Sequence, residues 1–294
     1  MTPNNAKRVP SSASPAIGAL FVLLWSTGFI GAKLGLPYAE PLTFLALRMA
    51  LVVALLLVVA LVTQAPWPVG RRAWIDVIIA GLLVQCGYLG GVFSAIYHGM
   101  HAGVAALIVG LQPLLTAVGA ALFLGERSTR MQWVGLMLGF VGVALVVSNG
   151  LGSEGVTKLS LALATLALLS ITAGTIYQKR FGAAMDFRTG GIIQYTATGA
   201  VLFVLAMMTE SMHVTWSAQF VFALAWLVLV LSIGAISLLF VLIKRGKATA
   251  VSSLFYLTPP VTAIMAYLLF GEVLTPIALA GMVIAVVGVA LVNR

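Results

Sequence analysis

Several polar and aromatic side chains sit where long apolar stretches have little ordinary use for them. Trp25, Ser26 and Thr27 fall midway along the first hydrophobic run, Gln85 and Tyr88 along the third, and Gln112 along the fourth. Thr172 and Thr175 fall midway along the sixth, Ser232 along the eighth, and Tyr256 and Thr258 along the ninth. None carries a charge at neutral pH. Gathered around one point, they would suit a small neutral or zwitterionic solute, with rings receiving its apolar part and hydroxyls and amides satisfying its polar atoms. Each also has a plainer use. Serine and threonine in membrane helices often return their hydroxyls to their own helix or bridge to a neighbour, and Trp25 can serve packing alone. Gln85 and Gln112 are harder to dismiss, because an amide at mid-membrane must find partners or water.

Three prolines and two basic residues accompany this set. Pro113 lies within the fourth run, and Pro259 and Pro260 within the ninth. A proline removes an amide donor and pushes away the carbonyl four residues earlier, which predicts bends bordering a pathway and free oxygens at Val109, Phe255 and Tyr256. Lys33 and Arg48 fall about 10 Å outward of the midplane at ~1.5 Å per residue. There they are expected to meet a substrate carboxylate or to close an outer gate with Glu40, Glu210 or Glu272, while snorkelling to the headgroups explains Lys33 equally well. All seven acidic residues, Glu40, Asp76, Glu126, Glu154, Asp186, Glu210 and Glu272, lie at the ends of runs or between them. With no carboxylate at mid-membrane, obligatory proton coupling through such a group is not expected.

Other chemistry finds no residues to perform it. The chain has no HExxH or GxSxG motif and no acidic pair within an apolar run, so an intramembrane enzyme is not expected. His98 and His101 flank one turn without a third ligand nearby in sequence, and Cys86 is the single cysteine, which excludes an internal disulfide. Neither a cofactor nor a metal is expected.

The elements that position these residues follow from composition. With 62% hydrophobic and 8% charged residues in 294, the chain cannot cover a water-soluble globule with polar surface. Crossing ~30 Å of hydrocarbon takes roughly 20 apolar residues in a helix. The runs are unbroken, without the alternation of barrel strands. Ten spans are predicted near 16–37, 42–63, 73–98, 102–124, 131–149, 158–180, 188–209, 219–243, 247–270 and 275–293. The first follows Lys7 and Arg8 without a small-residue cleavage site before Lys33, and reads as a retained helix.

The chain also repeats itself. Pro113 recurs as Pro259, Glu126 as Glu272, Gly135 as Gly281, Gly142 as Gly288, Gly28 as Gly174 and Lys33 as Lys179, each 146 positions later. Five spans per copy means that the second copy enters the bilayer from the opposite face. The fold class expected is therefore an all-α integral membrane protein of ten transmembrane helices in two inverted five-helix repeats, at 16–149 and 158–294, after an N-terminal tail at 1–15. That arrangement marks alternating-access carriers, whose sites lie near the midplane between the halves. A channel or scaffold would not need inverted halves with matched kinks. Gly31 with Gly35, Gly135 with Gly139, and Gly281 with Ala285 follow the small-xxx-small pattern, read as packing within one chain, with homodimerisation through the fifth and tenth spans as the lesser possibility.

Thirteen basic residues, Lys7, Arg8, Arg71, Arg72, Arg127, Arg130, Lys179, Arg180, Arg188, Lys244, Arg245, Lys247 and Arg294, fall on the side that holds both termini. Only Lys33, Arg48 and Lys158 fall towards the other. The bias places both termini in the cytoplasm and accounts for the net charge of +9 without any nucleic-acid partner.

The segment GLQPLLTAVGAALFLGERSTRMQWVGLMLGFVGVALVV is mirrored by YLTPPVTAIMAYLLFGEVLTPIALAGMVIAVVGVALV, each with a mid-helix proline, a Gly-Glu at the helix end and a glycine-spaced closing helix. Together with the opening WSTGFIGAKLGLPYAEPLTFLALR, the chain resembles the ten-helix EamA branch of the drug/metabolite transporter superfamily, and within it the YddG-type amino acid exporters. The resemblance implies export of amino acids, aromatic ones included, or similar small metabolites across a bacterial inner membrane, by a monomer or homodimer. A multidrug exporter of the same superfamily is the rival. Small drug exporters of that superfamily carry a glutamate in the first helix, where this chain has Trp25, Ser26 and Thr27. Reporter fusions test the topology: fusions at both termini are expected to report the cytoplasm, and termini on opposite faces would end the inverted-repeat reading.

Overall fold

The computed structural model describes residues 15–126, 129–148, 157–181, 186–245, 251, 253–271 and 276–292. The described chain is nearly all helix. In order, α1 spans Pro15–Gly35, α2 Pro41–Val62, α3 Arg71–Tyr97, α4 Ala102–Leu124, α5 Arg130–Ser148, α6 Lys158–Phe181 and α7 Phe187–Thr209. Then α8 covers 218–245, α9 Leu254–Phe270 and α10 Pro276–Val292. Seven helices, α1 to α4 and α6 to α8, are long and apolar enough to cross a membrane, and α5, α9 and α10 complete ten apolar helices. Exposed Val62, Leu122, Met208 and Leu268 form part of an apolar exterior, whereas Arg48, Gln85, Gln112 and Gln194 are buried. This distribution suits lipid outside and polar groups satisfied within.

Local sequence sets the helix ends. Pro41 opens α2 in the first turn, where its missing donor is harmless. Asp186 and Ser217 cap α7 and α8 through the amides of Arg188 and Phe220, and Thr129 with Gln132 makes a reciprocal capping box at α5. Gly125 and Gly271, 146 positions apart, end α4 and α9 in the left-handed conformation at φ 67°, which glycine adopts without a Cβ clash.

The prolines break their helices as expected. In α4 the ladder is interrupted at Leu111 and resumes at Gln112, while α9 begins as a 3-10 turn, Leu254–Leu257, and becomes α-helical at Thr258. One expectation is corrected. The carbonyl of Phe255 is not left free, because tightening to 3-10 geometry lets the Thr258 amide donate to it. Two further irregularities were not foreseen: π-helical segments at Leu82–Gly87 in α3 and Leu227–Ala235 in α8. Subtracting the 146-residue repeat overlays the second on the first.

Packing follows the duplication. α5 lies against α10 and α2 against α7. α1 leaves its own repeat to pack chiefly against α8 and α9, and α6 does the same against α3 and α4. The glycine pairs are spent on close approach within the chain. A Cβ at Gly288 would lie 2.5 Å from the Gly139 amide nitrogen and 2.6 Å from the Gly135 carbonyl oxygen, and one at Gly142 would lie 2.4 Å from the Ala285 amide nitrogen. The small-residue faces of α5 and α10 therefore face each other, not a second copy.

Because both neighbours at that seam are backbone, Gly288→Leu is expected to cost several kcal/mol, about 3 or more, and to abolish recovery of monodisperse protein in detergent. Gly103→Ala, where a Cβ meets nothing within 4 Å, is expected to leave thermal stability unchanged or slightly raised.

Candidate functional site

A hollow opens among α1, α2, α3 and α8, walled by Trp25, Gly28, Phe29, Arg48, Val84, Gln85, Tyr88, Leu89, Val92, Leu231 and Ile236. The two π-helical segments supply Val84, Gln85 and Leu231 directly, and Tyr88 follows the first at once. An irregular turn of this kind re-aims side chains, and such turns are frequent at functional sites. The space open to the centres of water-sized spheres is about 30 Å³. That admits roughly two waters, less than an amino acid needs.

Arg48 dominates the hollow chemically. It is 2% exposed, and its Nε and Nη2 donate to Ser232 Oγ at 3.1 and 2.9 Å. Its third nitrogen, Nη1, is buried without a hydrogen-bond partner. The Tyr195 hydroxyl, equally buried, stands beside Arg48, Ser232 and Gln85 without closing a bond of ordinary geometry. Tyr88 lies against Trp25 and near Arg48. Among the described residues no carboxylate comes within ion-pair distance of Arg48, and Glu40, Asp76, Glu126, Asp186 and Glu210 all sit at helix ends. An arginine keeps its proton under essentially all conditions, so the hollow holds a fixed positive charge lined by neutral donors and aromatic surface.

This places Arg48 deeper than expected. Its Cα is only about 5 Å from the middle of α2 at ~1.5 Å per residue. Its guanidinium then reaches the mid-helix Ser232, so it shares the level of Gln85 and Tyr88. The pocket is therefore charged. The acids expected to pair with it serve elsewhere: Glu210 accepts from the amides of Leu42 and Thr43 at 2.7 and 2.8 Å and from the Thr43 hydroxyl, and Glu40 accepts from Ser211. Lys33 lies over the Phe270 ring at 4.2 Å, and Glu272 lies outside the described residues.

Of the mid-run candidates, the structure brings Trp25, Gln85, Tyr88 and Ser232 together. Trp25 also packs in a triad with Phe21 and Phe255, ring centroids about 5 Å apart. The rest are placed elsewhere. Ser26 donates to the Val22 carbonyl at 2.8 Å, and the Thr258 carbonyl lies 3.4 Å away across α1 and α9. Thr27 donates to Leu24 and accepts from the Trp226 indole. Thr172 and Thr175 return their hydroxyls to Leu168 and Ile171, and Gln112 Nε2 donates to Thr175 at 3.0 Å, joining α4 to α6. Tyr256 packs at the close approach of Gly139 in α5. Pro113, Pro259 and Pro260 start the second segments of their helices rather than line the hollow. Tyr195 was missed, although its mid-run position in α7 gave the same signal that picked out Tyr88. Val84 and Phe29 are apolar and gave none.

Both ends of the bundle are tied across the repeats. At the end expected outside, Ala39 pairs with Val214, the Thr215 amide donates to the Tyr38 carbonyl at 2.9 Å, and Tyr38 donates to Gln219. At the opposite end Lys179 forms an ion pair with Glu126, and the Tyr177 hydroxyl donates to Asp76 at 2.6 Å. There too, Arg188 beside it holds the Asp186 carboxyl below the usual carboxylate range.

Ten apolar helices among the described residues, with a charged polar hollow inside the bundle, define a multi-pass membrane protein. The chain belongs to the EamA-like transporter family, which it matches over residues 15–148 and again over 158–294. It is 29% identical to the uncharacterized transporter YvbV of Bacillus subtilis, covering 98% of this chain and 93% of that one. It is 28% identical to the uncharacterized inner membrane transporter YedA of Escherichia coli K12, over 95% and 90% of the two chains. To a probable amino-acid metabolite efflux pump of Salmonella typhimurium it is 25% identical, over 92% of each. A solved crystal structure superposes with a TM-score of 0.77 at 20% identity, covering 96% of this chain and 98% of the other, a likeness of fold.

Glu210→Ala removes the acceptor of two first-turn amides of α2 and one hydroxyl. The expected loss is about 1–2 kcal/mol, read as a fall of several degrees in the thermal unfolding midpoint in detergent.

Proposed function

We propose that this protein is an alternating-access exporter of small carboxylate-bearing metabolites, amino acids including aromatic ones, from the cytoplasm of a bacterium through its inner membrane. The observation that carries the reading is Arg48, a buried guanidinium with an unpaired Nη1 beside an aromatic wall. A carboxylate is the partner a guanidinium edge fits, and Trp25, Phe29 and Tyr88 offer faces for an apolar or aromatic side chain. Gln85 and the tyrosine hydroxyls supply acceptors for an ammonium group. A lipophilic cation would meet like charge here, which weighs against the multidrug alternative.

The two ends open in turn on this view. The Lys179–Glu126 pair and the Asp76–Tyr177 bond release on the cytoplasmic side, and the contacts between 36–43 and 210–219 release outside. The broken helices α4 and α9 and the π-helical segments supply the bends. Glycine faces used internally by α5 and α10 favour a monomer as the working unit. The direction of export and the cytoplasmic termini rest on the charge bias and on the relatives' names.

Counterflow in proteoliposomes tests this. Phenylalanine is expected to exchange saturably and to be competed by other amino acids but not by cationic dyes. Arg48→Gln should lower its initial rate tenfold or more, equivalent to about 1.4 kcal/mol or above, with Arg48→Lys intermediate because an ammonium lacks the forked edge. Wild-type rates in Arg48→Gln, or competition by dyes alone, would overturn the reading.

A further inference from the structure

We infer that the Arg48 hollow is also a binding site for a small monovalent inorganic anion, chloride under cellular conditions, and that a cargo carboxylate competes with it for the same donors. The argument starts from the cost of the charge. A guanidinium inside a bundle in hydrocarbon is penalised by several kcal/mol unless charge or hydrogen bonds compensate it. Ser232 compensates one edge only, and Nη1 has no protein partner. The groups around it are donors and neutral dipoles: the Tyr195 and Tyr88 hydroxyls, the Gln85 amide and the Trp25 indole. A donor-rich shell around a fixed cation, with no carboxylate among the described residues close by, is an anion site by its chemistry.

Size selects which anion. The hollow's ~30 Å³ holds a monatomic ion or about two waters. In this conformation the hollow has the size for a halide and not for an amino acid. A carrier must also pass between its two open forms with its site closed, and doing so with Arg48 uncompensated incurs the full burial penalty. A halide on Arg48 removes that penalty on the return passage, as the cargo carboxylate removes it on the outward one. Cargo thereby moves in exchange for anion, and amino acid against amino acid is the special case in which a second carboxylate replaces the halide. The exchange rests on the carboxylate reading given under Proposed function; the anion site does not.

The test has a binding arm and a flux arm. In detergent, replacing isethionate by chloride at constant ionic strength is expected to raise the thermal unfolding midpoint of the wild type, because ligand bound only to the folded state stabilises it. Bromide should act likewise, and sulfate should not. Arg48→Gln should lose the effect, and Tyr195→Phe, which keeps the ring and its packing, should weaken the apparent halide affinity about threefold or more. In proteoliposomes, chloride outside should raise the half-saturation concentration for phenylalanine severalfold, and phenylalanine outside should accelerate chloride release from loaded vesicles. Halide stabilisation absent from the wild type, or unchanged in Arg48→Gln, overturns the site. Phenylalanine counterflow indifferent to chloride overturns the competition and leaves the carboxylate reading standing. Halide binding without any phenylalanine flux overturns the cargo assignment and leaves the anion site standing.

Discussion

Hydrocarbon offers no hydrogen-bond partners, and the placement of polar groups in this chain follows from that. Its answer is mostly local. Ser26, Thr172 and Thr175 give their hydroxyls back to the preceding helical turn, Thr27 takes up the Trp226 indole, and Gln112 reaches across to Thr175. Such bonds consume polar groups in holding the bundle together. Arg48 is the departure, since one edge of a permanently charged group is left over in the interior. The hydroxyls of Thr116, Tyr195, Tyr256, Thr258 and Thr262 are also buried without a partner, but among these groups Arg48 is the one that carries a full charge, for which burial costs most.

The scaffold was largely legible in the sequence, because hydropathy, turn residues and the 146-residue repeat all report on one-dimensional properties of the chain. Pro113 and Pro259 marked the breaks in α4 and α9, and Gly135, Gly142 and Gly288 marked the seam between α5 and α10. The site was legible in part. Depth along each run selected Trp25, Gln85, Tyr88 and Ser232, but depth does not say which way a residue faces, so Thr27, Thr172 and Tyr256 were chosen on the same grounds and turn elsewhere. Arg48 lies deeper than expected for two reasons: its Cα is nearer the middle of α2 than the run boundaries implied, and a residue count ignores a flexible side chain several ångströms long. The π-helical segments have no mark in hydropathy or turn residues, and what relates them is their matched place in the two repeats.

Duplication fixes the frame while the centre has diverged. Gln112 and Thr258, Thr116 and Thr262, and the left-handed Gly125 and Gly271 keep matched places in the two copies. At the hollow the correspondence fails: Arg48 answers to Gln194, Trp25 to Ile171 and Gln85 to Leu231. One copy supplies the charge and most of the aromatic surface, and the other supplies the hydroxyl of Ser232 and apolar wall. A duplicated frame thus surrounds an asymmetrical chamber, whose charge lies on one repeat's side.

The seam of α5 and α10 bears on how such a frame can flex. Each repeat contributes one helix, and at Gly135, Gly139, Gly142 and Gly288 the two approach backbone to backbone, with the Val292 side chain set against Gly135. The hollow is walled by α1, α2, α3 and α8, away from that pair. A fixed post on one flank turns any small tilt of the repeats into a larger displacement on the other, much as a door swings widest at the edge farthest from its jamb.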